Sequence, residues 1–343
     1  MKIYDNTKYA FIVAVIRSSE SKMLNVGEIE RMLGAKDAQE AYRVLNDLDY
    51  AKFLGDVERV EDFQIVINAG LIETKEMLLK NAPYPELLDL LWLRYDFANL
   101  KAFIKMKVQA KDFDEVKAMF LPYGKYSLEE LKKFFIAEVG FNLQTKKKKT
   151  LLDKKIEEAI QEALKIYTET QNPILIDAVV DKIYYQYLLK ILPEIRNRFV
   201  NEYYHLEIDL KNLRMYLRVI ALEQMELFTQ LYLEGGSLAR EKFTGNLEEF
   251  SKNLKGTIYF DLVKKAIENF VETKSFFEFE KETDAMLLDY MLKARYLTFG
   301  IEPLFAFFWI KENNAQIIRM IMVNKLNGIP SSEIRKKLRK LYQ

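Results

Sequence analysis

Residues 95–104 read YDFANLKAFI and residues 208–217 read IDLKNLRMYL. Aligned without gaps, they share Asp96 with Asp209, Asn99 with Asn212, Leu100 with Leu213, and a base at Lys101 and Arg214. The next base repeats too, Lys105 with Arg218, giving the phrase D-x-x-N-L-[KR]-x-x-x-[KR]. A phrase of that length, returned after more than a hundred residues, constrains the fold to related units stacked in tandem.

The apolar residues of the first copy, Phe97, Leu100, Phe103 and Ile104, fall at helical spacing, and so do Leu210, Leu213, Tyr216 and Leu217 in the second. In each copy the two bases lie one turn apart on another side. Each phrase therefore predicts a helix with one buried stripe and one basic strip. With only 12 Gly and 7 Pro in 343 residues, and helical rather than alternating periodicity between them, the whole chain reads as all-α.

A third copy is expected near residue 314, where NNAQIIRMIMVNK keeps Ile318, Arg319, Ile321 and Met322 but has Asn314 for the Asp and Ile317 for the Asn. A second pair upstream supports the period: QEAYRVLNDLDY at 39–50 and EEFSKNLKGTIY at 248–259 share Glu40 with Glu249, Leu45 with Leu254 and Tyr50 with Tyr259. The middle unit has only a loose equivalent at 113–134, where Pro122 and Gly124 mark a turn and Ser127 can cap a helix starting at Leu128. The reading is three related helical units, 1–110, 111–225 and 226–343, that bury their faces on one another as one body. The natural geometry is an arc or closed funnel of approximate threefold character.

Composition removes several function classes. The net charge is +1, from 52 basic and 51 acidic residues, so no global field favours nucleic acid. Without cysteine there is no disulfide, thiolate metal site or cysteine nucleophile. His205 stands alone, which rules out a histidine-ligated zinc site and a histidine-based triad. Gly235–Gly236 is not followed by the spaced Gly-Lys-Ser/Thr of a phosphate loop. Carboxylate pairs such as Asp177 with Asp181 or Glu207 with Asp209 could serve as acid and base, though solvated faces are the commoner use. No cofactor is expected. Neither Ala10 to Ile16 nor Leu304 to Ile310 approaches the roughly 18 apolar residues of a membrane span, and the latter reads as core.

The Asp/Asn pairs, Asp96 with Asn99 and Asp209 with Asn212, each project to one side of a helix and are expected to cap and cross-link adjacent helices, fixing repeat on repeat, with lining a hollow and meeting a partner directly as the alternative. Lys101, Lys105, Arg214, Arg218 and Arg319 are the candidates for a basic rim or lining that meets acidic partner residues, with plain solvent exposure as the alternative. Lys146–Lys149 is either a solvated loop or a contact with anionic lipid headgroups. A last helix opens at Ser331, read as its N-cap, and runs through EIRKKLRKLY.

At these residues the chain resembles the C subunit of prokaryotic V-type (A-type) ATP synthases, related to the d subunit of eukaryotic V-ATPases. The resemblance is carried by YDFANLK at 95–101, IDLKNLRMYLR at 208–218, the N-terminal IRSSESKMLNVGEIERMLGAKDAQEA and the C-terminal run at 300–342. In that run Glu302–Pro303, Lys311–Glu312, Ile318–Arg319 and Asn327–Gly328 match the family's signature, while Ile317 stands where the pattern has Asn. Glu302 and Glu312 join the polar repeat-packing candidates through that signature. The resemblance implies a funnel-shaped, non-catalytic rotor component, peripheral on the cytoplasmic face of the membrane. It would sit on the proteolipid ring, receive the central axle of D and F subunits, and pass torque between them for ion transport and ATP synthesis. A helical-repeat adaptor outside any ATPase is the alternative, and an enzyme is a third option without a convincing set of residues.

Overall fold

The computed structural model describes residues 4–139 and 149–338 of the chain. It is 78% helical, with no strand among the described residues, so the all-α expectation holds. The chain forms two compact units, one of residues up to Leu91 together with those from Asp284 onward, the other Trp92–Thr283.

The first unit opens with α1 (Ala10–Glu20), α2 (Val26–Gly34), α3 (Ala38–Arg43) and α4 (Phe63–Asn81). α2 starts where it does because Asn25 and Glu28 form a reciprocal capping box: the Asn25 side chain accepts from the Gly27 N–H at 2.7 Å and Glu28 accepts from the Asn25 N–H at 3.1 Å. α3 is capped by Asp37 on the Glu40 N–H.

The second unit takes over inside α5 (Asp89–Val108) and continues through α6 (Phe113–Val116), α7 (Leu128–Val139), α8 (Leu151–Thr170), α9 (Pro173–Ile195) and α10 (Arg198–Ala221). Ser127 caps α7 as its sequence position predicts, exchanging hydrogen bonds with Glu130. Thr150 and Asp153 do the same for α8, which ends on Gln171 in the left-handed conformation. Pro173 sits at the first position of α9, where its missing N–H removes no helical bond, with Asn172 as the cap. Then come α11 (Met225–Leu231), α12 (Leu247–Asn253) and α13 (Phe260–Thr273), with α14 (Phe277–Leu292) leading back into the first unit. There the chain finishes with α15 (Glu302–Leu326) and α16 (Ser331–Lys336).

The core of the second unit includes a knot of rings. Tyr216 on α10 is fully buried, with Phe228, Phe243 and Phe250 at centroid distances of 4.8, 5.6 and 4.3 Å. In the first unit α15 is buried on nearly every side, including Leu304 to Phe308 and Ile310, as a helix packed against α1, α3 and α4 must be. The paired segments 39–50 and 248–259 fold alike: each is a short helix, α3 or α12, followed by a turn that ends on a buried tyrosine, Tyr50 or Tyr259.

The last helix departs from expectation in detail. α16 does begin at Ser331, but Pro330 holds the cap position and the Ser331 hydroxyl is spent on the Leu33 carbonyl at the end of α2. Lys325 donates to the carbonyls of Leu33 and Ala35, so the end of α2 is closed by side chains from α15 and α16. Of the basic run, Lys146–Lys148 fall outside the described residues, and Lys149 pairs with Glu157 at 2.5 Å.

Because Phe250 is fully buried against Tyr216 and Phe243, Phe250→Ala is expected to destabilise the second unit by about 3–5 kcal/mol. A thermal melt followed by circular dichroism should show the loss.

Candidate functional site

The repeated phrase builds the same device twice. On α5, Asn99 takes both backbone groups of Leu121, donating to its carbonyl at 2.8 Å and accepting from its N–H at 2.8 Å. One turn earlier, the buried Asp96 accepts from the N–H groups of Lys125 at 2.9 Å and Tyr126 at 3.1 Å. On α10, Asn212 holds Leu233 by the same two bonds, at 2.8 and 2.9 Å, and Asp209 accepts from Ser237 and Leu238, both at 3.0 Å. Each Asp/Asn pair thus clasps one loop by four backbone groups.

The clasped loops share a pattern, Leu121-x-x-Gly124 and Leu233-x-x-Gly236. The glycine is required by contact: a Cβ at either position would come 2.1 Å from the Oδ1 of Asp96 or Asp209. Sequence reasoning identified the clasping residues and missed what they hold. The spaced Leu and Gly, about 22 residues downstream of each Asn, were the available signal.

Asp209 has a further partner in Tyr259, whose hydroxyl donates at 2.9 Å. Burial pushes the Asp209 carboxyl above its ordinary value, and its three donors only partly offset this. His205 sits beside the same loop, with Nδ1 against the Gly235 carbonyl.

The basic strip is used within the chain. Lys101 and Lys105 on α5 reach Asp181 and Asp177 on α9, at 2.6 and 2.7 Å, in two antiparallel rungs. Arg214 on α10 donates to the Thr283 hydroxyl at 2.7 Å and the Glu280 carbonyl at 3.3 Å, and Arg218 pairs with the Glu280 carboxylate, both on α14. Arg319 on α15 donates to the side-chain oxygens of Gln64 at 2.8 Å and Asn68 at 2.9 Å on α4. All five bases therefore meet an antiparallel helix of their own unit. Arg218 still keeps half of its side chain exposed.

The carboxylates singled out as acid–base candidates are drawn into the same framework. Burial raises the Asp181 carboxyl, but the charges of Lys211 and Lys101 outweigh it and hold the group below its ordinary value. Glu207 is buried and bonded to Arg94 at 2.9 Å, to the Tyr185 hydroxyl at 2.9 Å and to the Tyr203 hydroxyl at 3.0 Å, tying α5, α9 and α10 together. Burial pushes the phenols of Tyr184 and Tyr185 well above their ordinary range. No cluster of three or more metal-ligating side chains occurs among the described residues.

The stretch expected to hold a third copy carries no such clasp among the described residues. Asn314 is buried and neither of its amide atoms has a partner among the described residues, and Ile317 is buried apolar surface where the other copies have Asn. Glu302 lies half-buried in the first turn of α15, beside Gly300, whose φ of +94° favours glycine. Glu312, half-buried, is 3.4 Å from the Gln316 amide.

The sequence profile described as ATP synthase (C/AC39) subunit matches residues 12–337. The C subunit of the A-type ATP synthase of Methanocaldococcus jannaschii is 26% identical over 352 residues, covering 97% of this chain and 86% of that protein. The C subunit of the V-type sodium ATPase of Enterococcus hirae is 23% identical over 340 residues, covering 98% of this chain and 99% of that one. The C subunit of the A-type ATP synthase of Methanosphaera stadtmanae is 23% identical over 345 residues, with 96% and 87% covered.

Two outcomes follow for the polar framework. Asn212→Leu leaves the buried N–H and C=O of Leu233 unpaired and is expected to lower stability by roughly 2–5 kcal/mol, seen as an earlier thermal transition. Asp181, with its folded value below the ordinary 3.8, contributes stability that is present above that pH and is lost as pH falls through the folded value. The melting-temperature gap between wild type and Asp181→Asn should therefore narrow from pH 6 towards pH 3. A constant gap would show that the carboxylate's charge contributes nothing.

Proposed function

Because this chain belongs to the ATP synthase (C/AC39) subunit family, whose members are non-catalytic components of rotary A/V-type ATPases, we propose that it is the socket of the rotor. In this reading it receives the foot of the D–F axle, rests on the proteolipid ring at the cytoplasmic face of the membrane, and carries torque between them. The observation that carries the reading is the match across residues 12–337 to a family whose relatives are named as the C subunits of such enzymes.

Two features of the chain suit the role. A torque-bearing part has to be stiff, and here buried Asp/Asn clasps fix loops while base-to-helix rungs fix the register of antiparallel helices. No helix of the described residues is long and apolar enough to cross a membrane, so attachment to the ring would be through protein. The three-unit division at 110/111 and 225/226, and the funnel with approximate threefold character, belong to this proposal. So does a role for Lys101, Lys105, Arg214, Arg218 and Arg319 in meeting acidic partner residues, with Arg218 the best placed by its exposure. A helical-repeat adaptor outside an ATPase has only the repetition in its favour.

The test is binding of the purified chain to a reconstituted D–F axle and, separately, to the detergent-solubilised ring. Binding to both is expected, and binding to neither would overturn the socket. Arg214→Glu with Arg218→Glu should weaken one of these contacts, more at low salt than at high. Since Arg218 also pairs with Glu280, adding Glu280→Lys separates the two roles. Restored binding would mean that the arginines act by holding α14, and binding that stays weak would place them in the interface.

A further inference from the structure

The turn between α14 and α15 exposes large apolar side chains that the rotor reading does not use. Tyr296 is 85% exposed, Phe299 48% and Leu297 40%, all within four residues. Isolated apolar side chains on a surface need no explanation, whereas three on one short turn do. They are not the product of a loose segment. Arg17 donates to the carbonyls of Ala294 at 3.1 Å and Leu297 at 3.2 Å, and the Gly300 N–H donates to the Asn6 carbonyl at 3.3 Å. Buried Ala294 and Ile301 pin the two ends, and Gly300 makes the return with its φ of +94°. The backbone is tied down and the apolar groups are held outward.

The charges around the turn indicate what it meets. From Tyr290 to Ile301 the sequence YMLKARYLTFGI has no acidic residue, although 51 of the 343 residues are Asp or Glu. Its two bases, Lys293 and Arg295, are exposed, and the Lys293 ammonium lies 4.5 Å from the centre of the buried Tyr290 ring. Aromatic rings with one polar edge, an aliphatic side chain and flanking bases are the combination that suits the headgroup layer of a bilayer, where rings sit at the boundary and ammonium or guanidinium groups meet phosphate.

We infer that the 293–299 turn docks on the headgroup layer of an anionic membrane, with Tyr296, Leu297 and Phe299 inserted and Lys293 and Arg295 on lipid phosphates. The contact is small and gives reversible binding by itself, so it orients the chain on a membrane to which other contacts hold it. It supplies the headgroup contact that the basic run at 146–149 suggested, from a turn whose geometry is defined.

The test is sedimentation of the full chain with vesicles of phosphatidylcholine alone and of equal phosphatidylcholine and phosphatidylglycerol. Binding is expected to the anionic vesicles only, and to weaken as salt is raised. Tyr296→Ser with Phe299→Ser should reduce the bound fraction roughly tenfold or more, and Lys293→Glu roughly fivefold or more, with melting curves recorded alongside to separate lost docking from lost fold. Wild type that ignores anionic vesicles, or a double serine variant that binds as well as wild type, would overturn the inference. The vesicles hold no other ATPase component, so wild type that binds axle and ring but not vesicles would overturn this inference alone. Loss of ring binding by the serine variant in that case would reassign the turn to a protein contact.

Discussion

The structure depends first on a side chain holding a backbone. An Asp and an Asn one helical turn apart satisfy four main-chain groups of a loop that would otherwise carry them unpaired into the interior. The loop can then approach the helix so closely that no Cβ fits at Gly124 or Gly236. The exchange is not free of expense: burial disfavours the charged form of Asp209 and raises its carboxyl even with three donors aimed at it. What the helix gains is a fixed position for the loop and, through Tyr259, for the segment that leads into α13.

The base rungs do a different job. Pairs with side chains 22–40% exposed, as Lys101–Asp181 and Lys105–Asp177 are, contribute modestly to stability. Their positions on antiparallel helices, four residues apart on each, set register. On α15 the partners are uncharged: Arg319 donates to two amide oxygens. There the planar guanidinium supplies the hydrogen-bond direction that two amide oxygens require, whereas the lysines of α5 meet carboxylates as point charges.

Helix type, the buried stripe and the polar role of Asp96, Asn99, Asp209 and Asn212 were legible because spacing along one chain reports them. The partners were not, because a side chain bonded to backbone leaves no complementary residue to read, only a glycine at the point of approach. The destination of the bases was also hidden, although Asp177 and Asp181 repeat the four-residue spacing of Lys101 and Lys105. Periodicity places a strip on a helix and is silent on whether its partner lies inside the chain or outside it. At Ser331 the residue type predicted a cap, but the Leu33 carbonyl at the end of α2, which also accepts from Lys325, took the hydroxyl instead.

The stretch expected to hold a third copy, on α15, has apolar burial where the other two phrases have a clasp. α15 is enclosed on nearly every side, so its position is set by packing, and Ile317 in place of Asn adds to that surface while Asn314 has nothing to hold. One polar feature is new. Lys311 occupies the place that Leu93 and Leu206 hold in the other copies, and it is buried against Asp49, over the ring of Tyr50. The pair borders a cavity of about 270 Å³ that Ser18, Ser19 and Thr74 also line. Two sister helices manage with leucine there, and apolar substitutes for a buried ion pair are often neutral or stabilising. Stability is therefore not the reason for the pair. Its directional contact fixes α15 against the turn that ends at Tyr50, which restores by charge the positional definition that the lost Asp/Asn clasp no longer gives.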